Sequence, residues 1–165
     1  MSNMILGDVY FSAFYRQHVI AVRNQLQIYC CKQGFGIHFL SHEIFPVQND
    51  SEKSEGKIRF QLSDSFIAPN CEDFMDLVYY TKQGVPLIEP LKRDLEKLQG
   101  IVDIIFSFDF VNHLELRFSF VEVNEDEYEI CRVSQSGLKK EVYERYIESK
   151  GNIPVVNFII TREGE

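Results

Sequence analysis

Apolar residues recur at three- and four-residue steps from residue 8 to residue 33. Phe11, Phe14, Tyr15, His18, Val19, Val22, Leu26, Tyr29 and Cys30 form one broad stripe, the spacing of a helix with one buried face. Arg16, Gln17, Arg23, Asn24, Gln27 and Lys32 fall mostly on the other side, and Gly34 and Gly36 follow, as expected just past a helix end. Gly7 fits a helix interior badly, so the start is expected within several residues of Asp8.

From Gly36 the period changes to two. Ile37, Phe39 and Ser41 alternate with His38, Leu40 and His42, and the apolar run continues around Pro46. The polar stretch 48–56 reads as a loop, and Ile58, Phe60 and Leu62 then alternate with Arg59, Gln61 and Ser63. Together these predict a long-looped antiparallel hairpin. Pro69-Asn70 opens a second helix, with Asn70 as cap, Asp73 as the capping-box acid and Phe74, Leu77 and Val78 inward. Gly84 ends it, and Pro86 starts a third helix with Leu87, Leu91, Leu95 and Leu98 inside and Gly100 as terminator.

The densest alternation follows. Ile104, Phe106, Phe108 and Phe110 alternate with Asp103, Ile105, Ser107 and Asp109, and Leu114, Leu116, Phe118 and Phe120 alternate with Glu115, Arg117 and Ser119. These predict two strands of a Phe-rich meander, with 128–133 as the third and Phe106, Phe108, Phe118 and Phe120 buried. Ser136 caps a last helix bearing Leu138, Val142, Tyr143, Tyr146 and Ile147, and 153–161 is a final strand. The grouping predicts an α+β domain with an antiparallel or mixed sheet, built from hairpins and the meander and covered by about four helices. With no repeat or linker, residues 1–165 are expected to form a single domain.

Composition adds exclusions. The chain is 45% apolar with no run long enough for a membrane helix. It holds 17 basic and 25 acidic residues, a net charge of −8. That balance disfavours direct nucleic-acid binding and favours a protein partner with a basic face. Cys30, Cys31, Cys71 and Cys131 are too few for a disulfide scaffold, and the first residues lack a basic start and long apolar stretch. The thiols are read as free and the compartment as cytoplasmic.

Catalytic and metal chemistry find little support. His38 and His42 follow Cys30 and Cys31, but the spacing that defines zinc sites is absent, so no metal and no cofactor is expected. Asp109 with Glu115 and Arg117 resembles a metal-nuclease triad only faintly, and alternate charges on a solvated strand explain it. There is no Gly-x-Ser-x-Gly elbow, Cys131 has no helix N-terminus to activate it, and Gly34-Phe35-Gly36 lacks the rest of a phosphate loop.

One run stands out. Residues 121–130 read VEVNEDEYEI, with five acids and no base. Glu122, Glu125, Asp126, Glu127 and Glu129 are the candidate partner-binding acids, with Tyr128 as aromatic anchor. The expected function is a non-catalytic protein-binding domain, such as an acidic inhibitor or antitoxin of the immunity type covering a basic active site. The alternative is a small enzyme or ligand receptor with a pocket between sheet and helices.

Overall fold

The computed structural model describes residues 4–46, 54–63, 88–119, 128–148 and 155–164. In chain order these form β1 (Met4–Phe11), α1 (Arg16–Gln33), β2 (Gly36–Pro46), β3 (Ser54–Ser63), α2 (Ile88–Phe106), β4 (Val111–Ser119), β5 (Glu129–Ser134), a 3₁₀ turn, α3 (Leu138–Glu148) and β6 (Val156–Thr161). The class is α+β. The six strands make one mixed sheet in the order β2-β3-β1-β4-β6-β5. β1 lies antiparallel between β3 and β4, β2 pairs antiparallel with β3, and β4 with β6; β5 alone runs parallel to its neighbour β6. The order β1-α1-β2-β3-α2-β4 is the split βαβ arrangement, and β5-α3-β6 extends it by one further unit.

The expected hairpin is β2 with β3. The expected meander is not present: β6, last in the chain, lies between β4 and β5. The expected helix over 70–84 and the turn at 124–126 lie outside the described residues; among the described residues three helices stand where about four were expected in the whole chain.

The helix expected from residue 8 is two elements. Met4–Phe11 is the central strand β1, and α1 begins only at Arg16. Taken alone, Ile5, Gly7, Val9 and Phe11 alternate with Leu6, Asp8 and Tyr10, and Ile5, Val9 and Phe11 are buried. Gly7 fits because Phe60 of the neighbouring strand occupies its side-chain space: a Cβ there would lie 2.2 Å from the ring. Gly34, at φ 84°, then caps α1 in the left-handed region and closes the helix through its N–H to Cys31 O.

A second difference lies at Gly100, which does not end α2. The helix continues to Phe106, and Ile101, Val102, Ile105 and Phe106 extend the buried stripe of Leu91, Leu95 and Leu98. The alternation over 103–110 is therefore a helix end followed by a turn, and short apolar runs fit either period. Gly100 serves packing. Tyr29 of α1 lies across it, donating its hydroxyl to Lys97 O at 3.1 Å, and a Cβ at Gly100 would meet that hydroxyl at 2.0 Å. Arg162 donates to the carbonyls of Phe106, Phe108 and Val111, satisfying the last acceptor of the helix and tying it to the turn and the start of β4.

The three described helices cover one face of the sheet. Their buried residues, among them Val22, Leu26, Leu98, Ile101, Leu138 and Val142, join the inward residues of the strands in one apolar cluster. Phe106 and Phe118 are buried there as expected, whereas Phe108 is half-buried in the turn, and Phe120 lies outside the described residues.

Candidate functional site

The face of the sheet away from the helices carries the polar chemistry. Strand alternation sends Leu6, Asp8 and Tyr10 of β1 to that face. The register sets Arg59 and Glu115 on either side of Asp8, Lys57 and His113 on either side of Tyr10, and Gln61 and Arg117 on either side of Leu6. Asp8 is 0% exposed. Arg59 grips it through Nε to Oδ1 at 2.8 Å and Nη2 to Oδ2 at 3.0 Å, and Arg117 adds Nη1 to Oδ2 at 2.6 Å. Burial alone would raise the Asp8 pKa; the hydrogen bonds and positive charges of Arg59 and Arg117 reverse this and hold it below the ordinary carboxylate value.

Glu115 stands directly opposite Asp8, a like-charge placement that is unfavourable unless each acid has its own donors. Those donors are divided. Asp8 takes both arginines, while Glu115 accepts from Asn157 Nδ2 at 3.1 Å and from the Tyr10 hydroxyl. Burial and that bond to Glu115 push the Tyr10 pKa up. His113 stacks on Tyr10 with centroids 4.2 Å apart, and burial lowers its pKa. Lys57 Nζ stands 5.7 Å from the Tyr10 ring on the neighbouring strand. Asn157 is 8% exposed, and its Oδ1 is buried without a hydrogen-bond partner.

Of the acidic run, Glu122, Glu125, Asp126 and Glu127 lie outside the described residues. Tyr128 is half-buried just before β5. Glu129 opens β5 and is held by Arg145 of α3 in a fork, at 2.9 and 3.1 Å. The hydrogen bonds and charge of Arg145 lower the Glu129 pKa, and Arg145 also donates to Glu141 at 3.1 Å. Asp109 is exposed in the turn after α2, while Glu115 belongs to the sheet-face network, so the faint nuclease triad divides between two places.

The topology brings the described flanks of two acidic stretches to one end of the sheet. Ser63, Ser119, Glu129 and Val156 stand in register at one end of the sheet, with Leu62 beside Ile5, Ser119 beside Met4, and Val156 between Phe118 and Glu129. The stretch 64–87 leaves from Ser63, and 120–127 both leaves and re-enters at this end. α2 begins there too, since its 19 residues span about 28 Å and its C-terminus feeds β4 from the far end. Asp64, Glu72, Asp73, Asp76, Glu122, Glu125, Asp126 and Glu127 lie in those two stretches, with Lys82 the only base. The described residues hold as many bases as acids, so the negative excess lies outside them.

An open groove of about 360 Å³ runs between α2 and α3, lined by Lys92, Leu95, Glu96, Lys139, Lys140 and Tyr143. Its Lys139 and Glu96 pair at 2.7 Å. Among the described residues no three His, Cys, Asp or Glu side chains are placed to hold a metal ion, and no helix is long and apolar enough to cross a membrane. Cys30 is buried, which pushes its thiol up to about 12, and Cys31 is exposed. No family model, curated protein or solved structure matches this chain.

Proposed function

We propose that this chain is a non-catalytic protein-binding domain whose acidic end covers the basic face of a partner, in the manner of a cytoplasmic inhibitor or an immunity-type antitoxin. One observation carries the reading: the described residues that flank the two stretches holding most of the acidic excess lie at the same end of the sheet, and the described residues are balanced in charge. Such polarity orients an approaching basic surface and speeds its encounter. Tyr128, at the junction of the acidic run and β5, is the aromatic anchor of the contact. The test is isolation of a stoichiometric partner, followed by charge reversal of Glu125, Asp126 and Glu127 to lysine. Association should slow and lose salt dependence, and Tyr128→Ala should speed dissociation. A partner that binds the triple variant as fast and as tightly as the parent refutes the reading.

A second reading, a ligand receptor or small enzyme, is favoured by the Asn157 Oδ1 left unpartnered beside Glu115 and Arg117. It moves the ligand from between sheet and helices to the polar face. Chemical-shift changes confined to Tyr10, His113, Glu115 and Asn157 on metabolite screening would support it.

A further inference from the structure

α1 carries a second line of side chains besides its buried one. Each residue of a helix turns by about 100°, so Gln17, Ile20, Asn24, Ile28 and Cys31, at steps of three and four, form a seam opposite Val22, Leu26 and Cys30. All five are exposed, and Ile20 and Ile28 keep 47% and 50% of their surface in solvent. The charge of this helix is one-sided. It holds Arg16, Arg23 and Lys32 and no acid, whereas α2 and α3 mix both signs. Among the described residues none of these three cations forms an ion pair; Arg23 lies over the Phe39 ring at 4.9 Å. Arg16 opens the helix, at the end where the helix dipole disfavours a cation, so helix stability does not account for it.

We propose that the outer seam of α1 is a docking face, and that its occupant is an acidic amphipathic helix of a partner protein. The main-chain groups of α1 are occupied within the helix, so the contact is made by side chains. Along the axis Ile20 and Ile28 stand about 12 Å apart, and Arg16 and Lys32 about 24 Å. A helix laid along α1 matches those spacings with one apolar stripe flanked by acids. Charge complementarity fixes the sign, because cations without acids of their own attract and orient an acidic partner. A second copy fits less well. Antiparallel seams centred on Asn24 bring Ile20 to Ile28 but also Arg16 to Lys32, and parallel seams bring each cation to its own copy. A nucleic-acid duplex is disfavoured by the net charge of −8. A lipid surface is disfavoured because Gln17, Asn24 and Gln27 interrupt the isoleucines. This surface goes beyond the basic-partner reading and does not rest on it, since its partner carries the opposite charge.

The probes are two capped, alanine-based peptides of about 20 residues, long enough to form a helix alone. Each has one leucine stripe, flanked by glutamate in one peptide and by lysine in the other. The readouts are amide chemical shifts of the isotope-labelled full chain and the rate at which Cys31 takes up a thiol reagent. The glutamate peptide should move the Ile20, Asn24 and Ile28 amides, slow the reaction of Cys31 severalfold and bind less tightly as salt rises. The lysine peptide should change neither readout. Ile20→Ser combined with Ile28→Ser alters exposed positions only, so the fold should persist, and the glutamate peptide should weaken about tenfold. Arg16→Glu combined with Lys32→Glu should let the lysine peptide move the same amides instead. Since shifts and reaction rates are read in the parent protein, the result stands even if a variant fails to fold. A glutamate peptide that leaves these amides and Cys31 unchanged, or a lysine peptide that acts equally, overturns the docking face. Vesicles containing phosphatidylserine, or duplex DNA, that shield Cys31 where the glutamate peptide does not overturn the occupant. Movement of the same amides on raising the protein concentration alone overturns it in favour of a second copy. None of these outcomes touches the basic-partner reading, which charge reversal of Glu125, Asp126 and Glu127 decides.

Discussion

Replacing Gly100 with alanine sets two effects of opposite sign against each other at one atom. In an isolated helix the change stabilises by about 1 kcal/mol, because alanine loses less backbone entropy. Here the new methyl would sit 2.0 Å from the Tyr29 hydroxyl and 2.4 Å from the ring carbon that bears it. The ring must move. Overpacking of this kind costs about 1–3 kcal/mol, and losing the hydrogen bond to Lys97 O adds about 1 kcal/mol. Net destabilisation of about 1–3 kcal/mol is expected, read from urea unfolding followed by circular dichroism. The control is the same change in a Tyr29→Ala background. With the ring gone, Gly100→Ala should stabilise by about 1 kcal/mol, a coupling of about 2–4 kcal/mol across the cycle. If Gly100→Ala stabilises the parent by as much as it stabilises the Tyr29→Ala chain, α1 does not lie against α2 through this glycine.

Asp8→Ala should destabilise by about 3–5 kcal/mol, because it leaves two arginines facing an empty site; a shift in the urea midpoint measures it. Asp8 has a lowered folded pKa, so its contribution is complete above the unfolded value near 3.8 and is lost as pH falls through the folded pKa. His113 is also lowered from 6.5, so its share of stability falls as pH drops below that value, and His113→Gln should flatten stability against pH there. Phe118→Ala, at a site 0% exposed, should cost about 3–5 kcal/mol, and Phe108→Ala clearly less; thermal unfolding compares them. In the native protein Cys31 should react with a thiol reagent well before Cys30, with mass spectrometry locating the label.

The α+β class and the β2–β3 hairpin were legible in the sequence because each rests on one period sustained over many residues. β1 was hidden because Phe11 and Phe14 carry the helical spacing of α1 backwards into a strand. The end of α2 was hidden because Gly100 is both a plausible terminator and a packing surface, and only the position of Tyr29 decides between them. The acidic run was visible at once, but that the described flanks of both acidic stretches share one end of the sheet follows from topology alone. Asp8, Arg59 and Arg117 lie far apart in sequence, so their meeting depends on register. The one local signal was an acid centred in an apolar run, ILGDVYF, opposite two later strands with arginine at alternate positions.

The central place of β1 also sets a timetable for synthesis. Met4 pairs with Ser119 and Val9 with Leu114, so one flank of the first strand waits for more than a hundred residues to leave the ribosome. At about 5–20 residues per second that is on the order of 5–20 s. During that interval β3 can cover the other flank only, and Val9 and Phe11 have no β4 to pair beside. A nascent chain stalled before Val111 would therefore present an open apolar edge, a form that chaperones bind and that aggregates at high expression. Slower induction at lower temperature should raise the soluble yield for this reason, without any change in the stability of the finished fold.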